Sequence, residues 1–198
     1  MVAGLPGRSK GRKNLHAGPK DHATNPKLAG GISKMITISQ IITPEDCAAV
    51  KALVLEFVAW CETFDTDANS ASTFRDLHAE LNALPGIYGP PSGCFLLARN
   101  NGTPVGCVAF REVGPATVEV KRMFVRPDQR GLGVGLSLVQ DLIATARAQG
   151  RTRMELSSYY TMTGAHKIYR GVGFKDAPTP ADLPAPYQGR IVFMEMGL

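Results

Sequence analysis

No stretch of the 198-residue chain approaches the ~18 to 20 uninterrupted apolar residues of a membrane span, and the first residues lack the apolar run of a secretory signal. Those absences argue against a helical membrane protein or a signal-led secreted one, and the expectation is a soluble, cytoplasmic chain. Cysteine is scarce and scattered: Cys47, Cys61, Cys94 and Cys107 form no C-x-x-C pair and have no histidine at metal-ligand spacing. The four are expected to be buried free thiols in a reducing compartment, with no metal. Neither an internal repeat nor a second core is visible, so 198 residues with 44% hydrophobic content read as one ordinary domain with an added segment.

An excess of charge of either sign is nearly absent from most of the chain. The formal net charge is +5, yet residues 1–34 carry seven Lys or Arg against the single acid Asp21, which leaves the remainder at −1. The excess therefore belongs to a Gly, Pro, Lys and Asn-rich leader with little apolar periodicity, expected to be disordered. Such a tail can touch anionic surfaces weakly, but a nucleic-acid role ranks last because the rest is near neutral. Met35 opens a sequence that at once looks folded, so residues 1–34 read as an upstream extension and residues 35–198 as a single domain.

From Met35 onward the patterns alternate between periods of two and 3.6 residues. Ile36, Ile38 and Ile41 suggest a strand. Thr43-Pro44-Glu45-Asp46 then reads as an N-cap, a first-turn proline and a capping box for a helix with Val50, Leu53, Val54, Phe57 and Cys61 on one side. A second amphipathic helix carries Phe74, Leu77, Leu81 and Leu84 and stops at Pro85-Gly86. Two strand-like runs meet at Asn100-Asn101-Gly102, a hairpin with suitable turn residues, and Gly114-Pro115 turns the chain into a third, ATVEVKRMFV. A crossover helix with Leu136, Val139, Leu142, Ile143 and Ala146 follows, closed by Gly150. The strand RMELSSY, the short helix TGAHKIYRGVGF and the strand RIVFMEMG complete the chain. The expected class is α+β, a mixed and mostly antiparallel central sheet flanked by helices.

Between third strand and crossover helix stands VRPDQRGLGVG, Val125 to Gly135, with glycine at three alternate positions. A strand, a bare loop and a helix N-terminus together offer unpaired backbone N–H groups to an anion, most readily a phosphate, and Arg126 or Arg130 could help orient a pyrophosphate. No Lys-Ser or Lys-Thr pair follows these glycines, so this is not a Walker loop. The dinucleotide fingerprint G-x-G-x-x-G fits poorly: the third glycine comes one position early, and the preceding strands form a meander instead of a βαβ unit. Glu155, the residue that could serve as the ribose acid, lies inside its strand.

Gln129-Arg130-Gly131-x-Gly133-x-Gly135 resembles the Q/R-x-x-G-x-G/A signature of the GNAT superfamily of N-acetyltransferases. GAHKIYRGVGF, about 30 residues on, resembles that family's A-x-x-L/I-Y-x-x-x-G-F segment. The element order from about residue 36 to the end is similar to the family fold as well. The resemblance implies that Gln129, Arg130, Gly131, Leu132, Gly133, Val134 and Gly135 bind the pyrophosphate of acetyl-CoA, the acyl donor. It also implies that backbone N–H near Phe124 or Val125 polarises the thioester carbonyl, where family members splay two strands at a bulge.

For catalysis the resemblance implies Glu119, six residues before Val125, as general base, with Glu112 in reserve, and Tyr169 facing the departing sulfur. Strict alternation would put Glu119, Lys121, Met123 and Val125 on one face of the strand and Val118, Val120, Arg122 and Phe124 on the other. Many relatives carry Asn seven residues before the tyrosine; here that residue is Met162, with Thr161 and Thr163 beside it. His166 is expected to face outward on its short helix and His78 to lie on a polar helix face. Trp60, Phe64, Tyr88 and the run Pro178 to Tyr187 fall in segments that flank the acceptor side in the family, and equally read as core and surface loop. The implied activity is direct acetyl transfer from acetyl-CoA to a primary amine of a small molecule or protein, with no cysteine placed as carrier. A catalytically silent acyl-CoA sensor or scaffold is the rival reading, and a homodimer stays open.

Overall fold

The computed structural model describes residues 35–63 and 76–198; the basic leader, Phe64 and Phe74 lie outside them. The first strand, β1 (Ile36–Gln40), leads to Thr43, whose hydroxyl accepts from the Asp46 N–H at 3.1 Å while Asp46 Oδ2 accepts from the Thr43 N–H at 3.1 Å. That reciprocal cap starts α1 (Pro44–Glu62) where the sequence places it. The N–H groups of Ile42 and Thr43, and then Arg99, hold the Asp46 carboxyl down to about 2. The next helix is shorter than its apolar periodicity suggests. Pro85 lacks an N–H and disfavours helical geometry at the residue before it, so α2 (Leu77–Asn82) ends short of Leu84.

β2 (Cys94–Asn100) and β3 (Thr103–Gly114) form a hairpin about Asn101 and Gly102, at φ 49° and 83°, the two left-handed residues that a type I′ turn needs. β4 (Thr117–Val125) returns alongside β3; α3 (Val134–Ala148) crosses over to β5 (Arg153–Tyr159). α4 (Thr163–Gly171), the three-residue β6 (Lys175–Ala177) and β7 (Ile191–Gly197) follow. Polar, brief β6 carries no period that the sequence could announce. The sheet runs β1-β2-β3-β4-β5-β7-β6, antiparallel throughout except for the β4–β5 pair that α3 joins. This is the mixed, mostly antiparallel α+β architecture expected.

Alternation along the strands feeds two cores. On one face α3 sets Leu138, Val139 and Leu142 over Val108, Val118 and Met154; on the other, α1 and α2 set Val50, Leu53 and Leu81 over Phe95, Ala109 and Phe124. Each fully buried Val or Leu contributes about 1.5–3 kcal/mol. Two irregularities of β4 shape everything that follows. Cys107 pairs with Phe124 and Ala109 with Lys121, so Arg122 and Met123 together oppose Val108, and Arg122 takes φ 57°. This bulge shifts the strand's parity and corrects the strict alternation: Val118, Val120, Met123 and Val125 pack toward α3, whereas Phe124 joins the α1 core. Second, β4 pairs with β5 only from Thr117–Arg153 to Glu119–Glu155, while β5 stays paired with β7 as far as Tyr159. Beyond Glu119 the sheet splits.

Candidate active site

The split opens into a cleft of about 1370 Å³ that reaches from the glycine loop, past Phe124, Val125 and Tyr169, to Arg111 and Lys121. At one end Gly131 and Gly133 adopt φ 80° and 81°, and a Cβ on either would meet nothing within 4 Å. These two glycines answer to backbone conformation beside open space. Gly135 answers to packing, because a Cβ there would lie 3.0 Å from Ile168 Cδ1 and 3.2 Å from Met123 Cε. Gly133 is the N-cap of α3 without any side-chain cap, and the first helical bond to its carbonyl comes from Ser137. The first-turn N–H groups of α3 therefore have no intrahelical acceptor, and they sit at the positive end of the helix dipole. Open room around a bare helix start fits the diphosphate of coenzyme A.

The side chains of the loop are mostly committed. Gln129 accepts from Asn100 Nδ2 at 2.8 Å and donates to Asp128 at 2.9 Å. Arg126 pairs with Glu56. Arg130 lies over the Trp60 ring, 4.5 Å from its centroid, and donates to the Val125 carbonyl at 3.0 Å. Leu132 is exposed and outside the cleft wall, whereas Val134 is buried beneath the loop. The groups this loop leaves open are chiefly those of the backbone.

Along the split, Arg126 donates its N–H across to Val105 of β3 at 2.9 Å. Successive N–H groups of a strand address opposite edges, so the Val125 N–H faces the gap where β5 has withdrawn, on the same edge as the carbonyl that Arg130 holds. A strand donor aimed into a cleft needs no special side chain to polarise a carbonyl. Tyr169, on α4, lines the cleft; its ring packs 5.4 Å from Phe174, and burial pushes its phenol well above the usual range. At neutral pH it stays protonated and keeps a proton to donate. Thr161, Met162 and Thr163 all border the cleft near it.

Glu119 stands in a different relation to the cleft from the one its sequence position implies. Its Oε2 accepts from Arg111 Nε and Nη2 at 3.1 and 2.9 Å, its Oε1 lies 2.6 Å from Lys121 Nζ, and its side chain is 15% exposed. Arg111 and Lys121 form the wall; the carboxylate sits behind them. Glu112 pairs with Arg151 at 2.7 Å and lies outside the wall. Next to the trio, Arg122 leaves the bulge to meet Glu80 of α2 through two bonds of 2.7 Å. Burial works against the Glu80 carboxylate, but the guanidinium more than offsets it and lowers its pKa. Tyr88, buried and stacked edge-on against Phe95, closes that corner.

Trp60 lines the cleft and is half-buried, whereas the run Pro178 to Tyr187 is outside its wall. His78 is exposed as expected, but His166 is buried, a correction: the helix turns it into the sheet, where Nε2 lies 3.0 Å from Ser158 Oγ. Burial, and then Arg170, lower its pKa, so the ring is neutral. Cys61, Cys94 and Cys107 are buried thiols pushed up to about 12 by burial, and Cys47 is half-buried. Cys61 borders the cleft, yet as a protonated thiol it is a poor acyl carrier. Among the described residues no group of three or more His, Cys, Asp or Glu could hold a metal ion, and no helix is long and apolar enough to cross a membrane. Sequence reasoning missed the Arg111–Glu119 pair although the hairpin centred on Pro115 places the two opposite each other. The Glu80–Arg122 pair, 42 positions apart, left no such trace.

Comparison with known proteins agrees with this geometry. The profile of the acetyltransferase (GNAT) family matches residues 55–174. An uncharacterised N-acetyltransferase of Schizosaccharomyces pombe is 35% identical over 163 residues, which is 81% of this chain and 94% of that one. The PaiA N-acetyltransferase of Thermoplasma acidophilum, solved in complex with coenzyme A, superposes with a TM-score of 0.66 at 17% identity, over 83% of this chain and 99% of its own. YncA from Salmonella typhimurium, solved with its cofactor acetyl-CoA, gives 0.60 at 23% identity, over 82% and 94%. The chain belongs to the GNAT family of acetyltransferases, enzymes that take acetyl-CoA as acyl donor.

Proposed function

We propose that this protein transfers the acetyl group of acetyl-CoA directly to the primary amine of an acceptor while both are bound. One observation carries the reading: the open left-handed glycines at the start of α3, the Val125 N–H edge and Tyr169 share a single cleft made by the splitting of β4 from β5. The residues that would hold the donor are the backbone of Gly131 to Gly135 for the diphosphate, with Phe124 and Val125 along the split. Acetyl-CoA supplies an activated thioester there.

The chain's own groups then divide the work. The Val125 N–H receives the charge that builds on the carbonyl oxygen as the amine nitrogen bonds to the carbonyl carbon. As the carbon–sulfur bond breaks, the Tyr169 phenol would hold the departing sulfur by a hydrogen bond while keeping its own proton, and the proton lost by the amine would pass through solvent to the thiolate. A thiolate of pKa about 8.5 leaves readily, so the phenol assists the step without being required for it. Glu119 acts as a positioning residue, holding Arg111 and Lys121 in the wall instead of serving as the base. A protonated Cys61 leaves no carrier route, and transfer proceeds through a ternary complex.

Amine-dependent thiol release from acetyl-CoA, with mass spectrometry of the product, tests this. The expected result is one acetyl group on nitrogen and intersecting double-reciprocal plots. Binding of acetyl-CoA without release on any amine would instead mark a sensor.

A further inference from the structure

We infer that the acceptor carries a carboxylate as well as its amine, and that Arg111 and Lys121 bind that carboxylate. The inference rests on the acetyl-transfer reading and concerns the end of the cleft away from the glycine loop. Lys121 precedes Val125 by four positions, at most about 13 Å of strand because the bulge at Arg122 lies between them. Arg111 and Lys121 line the same cleft as Val125, so one small molecule can present an amine to the split and an acid to the cations.

Among Arg111, Lys121 and Glu119 the charges do not cancel. Arg111 and Lys121, 41% and 29% exposed, share the single carboxylate of Glu119, which leaves one positive charge over in the trio. Glu119 cannot itself receive an acceptor's cation, because both its oxygens are taken and it lies behind the wall. Arg111 directs Nε and Nη2 at one oxygen, and its Nη1 makes no hydrogen bond among the described residues. A guanidinium fork held by a carboxylate on one side suits a second carboxylate on the other. The neighbouring Glu80 is already neutralised by Arg122, whose side chain is only 10% exposed. Asp76, exposed at the start of α2, is the one other acid among the described residues of the wall. Asp76 brings the described charges of this end into balance, so the surplus is local to Arg111 and Lys121, and a plain or polycationic amine leaves that pair unused. An amino acid or a short acidic peptide satisfies it.

The test uses the full chain, acetyl-CoA and a thiol-release assay with matched acceptors: a set of free L-amino acids, the carboxamide of each, and spermidine. The expected result is a kcat/KM for at least one free acid tenfold or more above that of its amide. Lys121→Met should close the gap by raising the acceptor KM, Lys121→Arg should restore most of it, and calorimetry should show unchanged acetyl-CoA affinity in both. Amides or spermidine turned over as well as the acids would overturn the inference and leave acetyl transfer standing. No amine-dependent release from any member, with acetyl-CoA still bound, would overturn both.

Discussion

Replacing Gly133 by Asn or by Asp puts nearly isosteric side chains at a position where the diphosphate reading can be separated from the fold. At φ 81° both residues are strained, Asn and Asp being the side chains that tolerate this region best, and a Cβ meets nothing within 4 Å. Both serve comparably as N-caps, and Asp adds about 0.3–1 kcal/mol against the helix dipole. The aspartate variant should therefore be at least as stable as the asparagine one. Its carboxylate, however, stands where the phosphates belong. One unit charge 4 Å from another costs about 1 kcal/mol in bulk water and about 4 kcal/mol at an effective dielectric of 20. Acetyl-CoA should bind the aspartate variant at least tenfold more weakly by isothermal titration calorimetry, with melting temperatures in the opposite order. The gap should narrow as salt is raised. Equal affinities would refute anion binding at the start of α3.

Three further outcomes follow. Tyr169→Phe should lower kcat about tenfold to a hundredfold with acetyl-CoA affinity unchanged, since the phenol aids a leaving group that is already competent; steady-state rates beside calorimetry check it. Glu119→Gln should raise the acceptor KM and change kcat less than tenfold with both limbs of the pH–rate profile in place, whereas a hundredfold loss of kcat together with the acidic limb would restore the base role. His166 is held neutral in the fold, so the unfolded chain binds the extra proton first as pH falls. Stability should drop as pH goes below about 6.5, and His166→Leu should flatten that slope in denaturant titrations at pH 7.5 and 5.5 compared through.

Much of the fold was legible because its signals are local. The cap at Thr43 and Asp46, the Asn101-Gly102 turn and the periodicity of α3 each depend on residues within a few positions of one another, and all stand where their sequence places them. The loop from Gln129 to Gly135 was legible for the same reason: left-handed backbone and a bare helix start leave glycines that can be counted. His166 was misread because a nine-residue helix shows too few turns to say which side faces the sheet.

What sequence alone determined, then, is the order of the main elements, the α+β class and the bare glycine loop at the start of α3. Tertiary structure decided the rest. The bulge at Arg122 reverses the parity that alternation predicts, the parting of β4 from β5 makes the cleft, and Arg111, Lys121 and Glu80 acquire partners from other elements. Strand register and long-range ion pairing are settled between segments far apart along the chain. A carboxylate's role depends on which charges surround it, and only the assembled sheet brings those charges together.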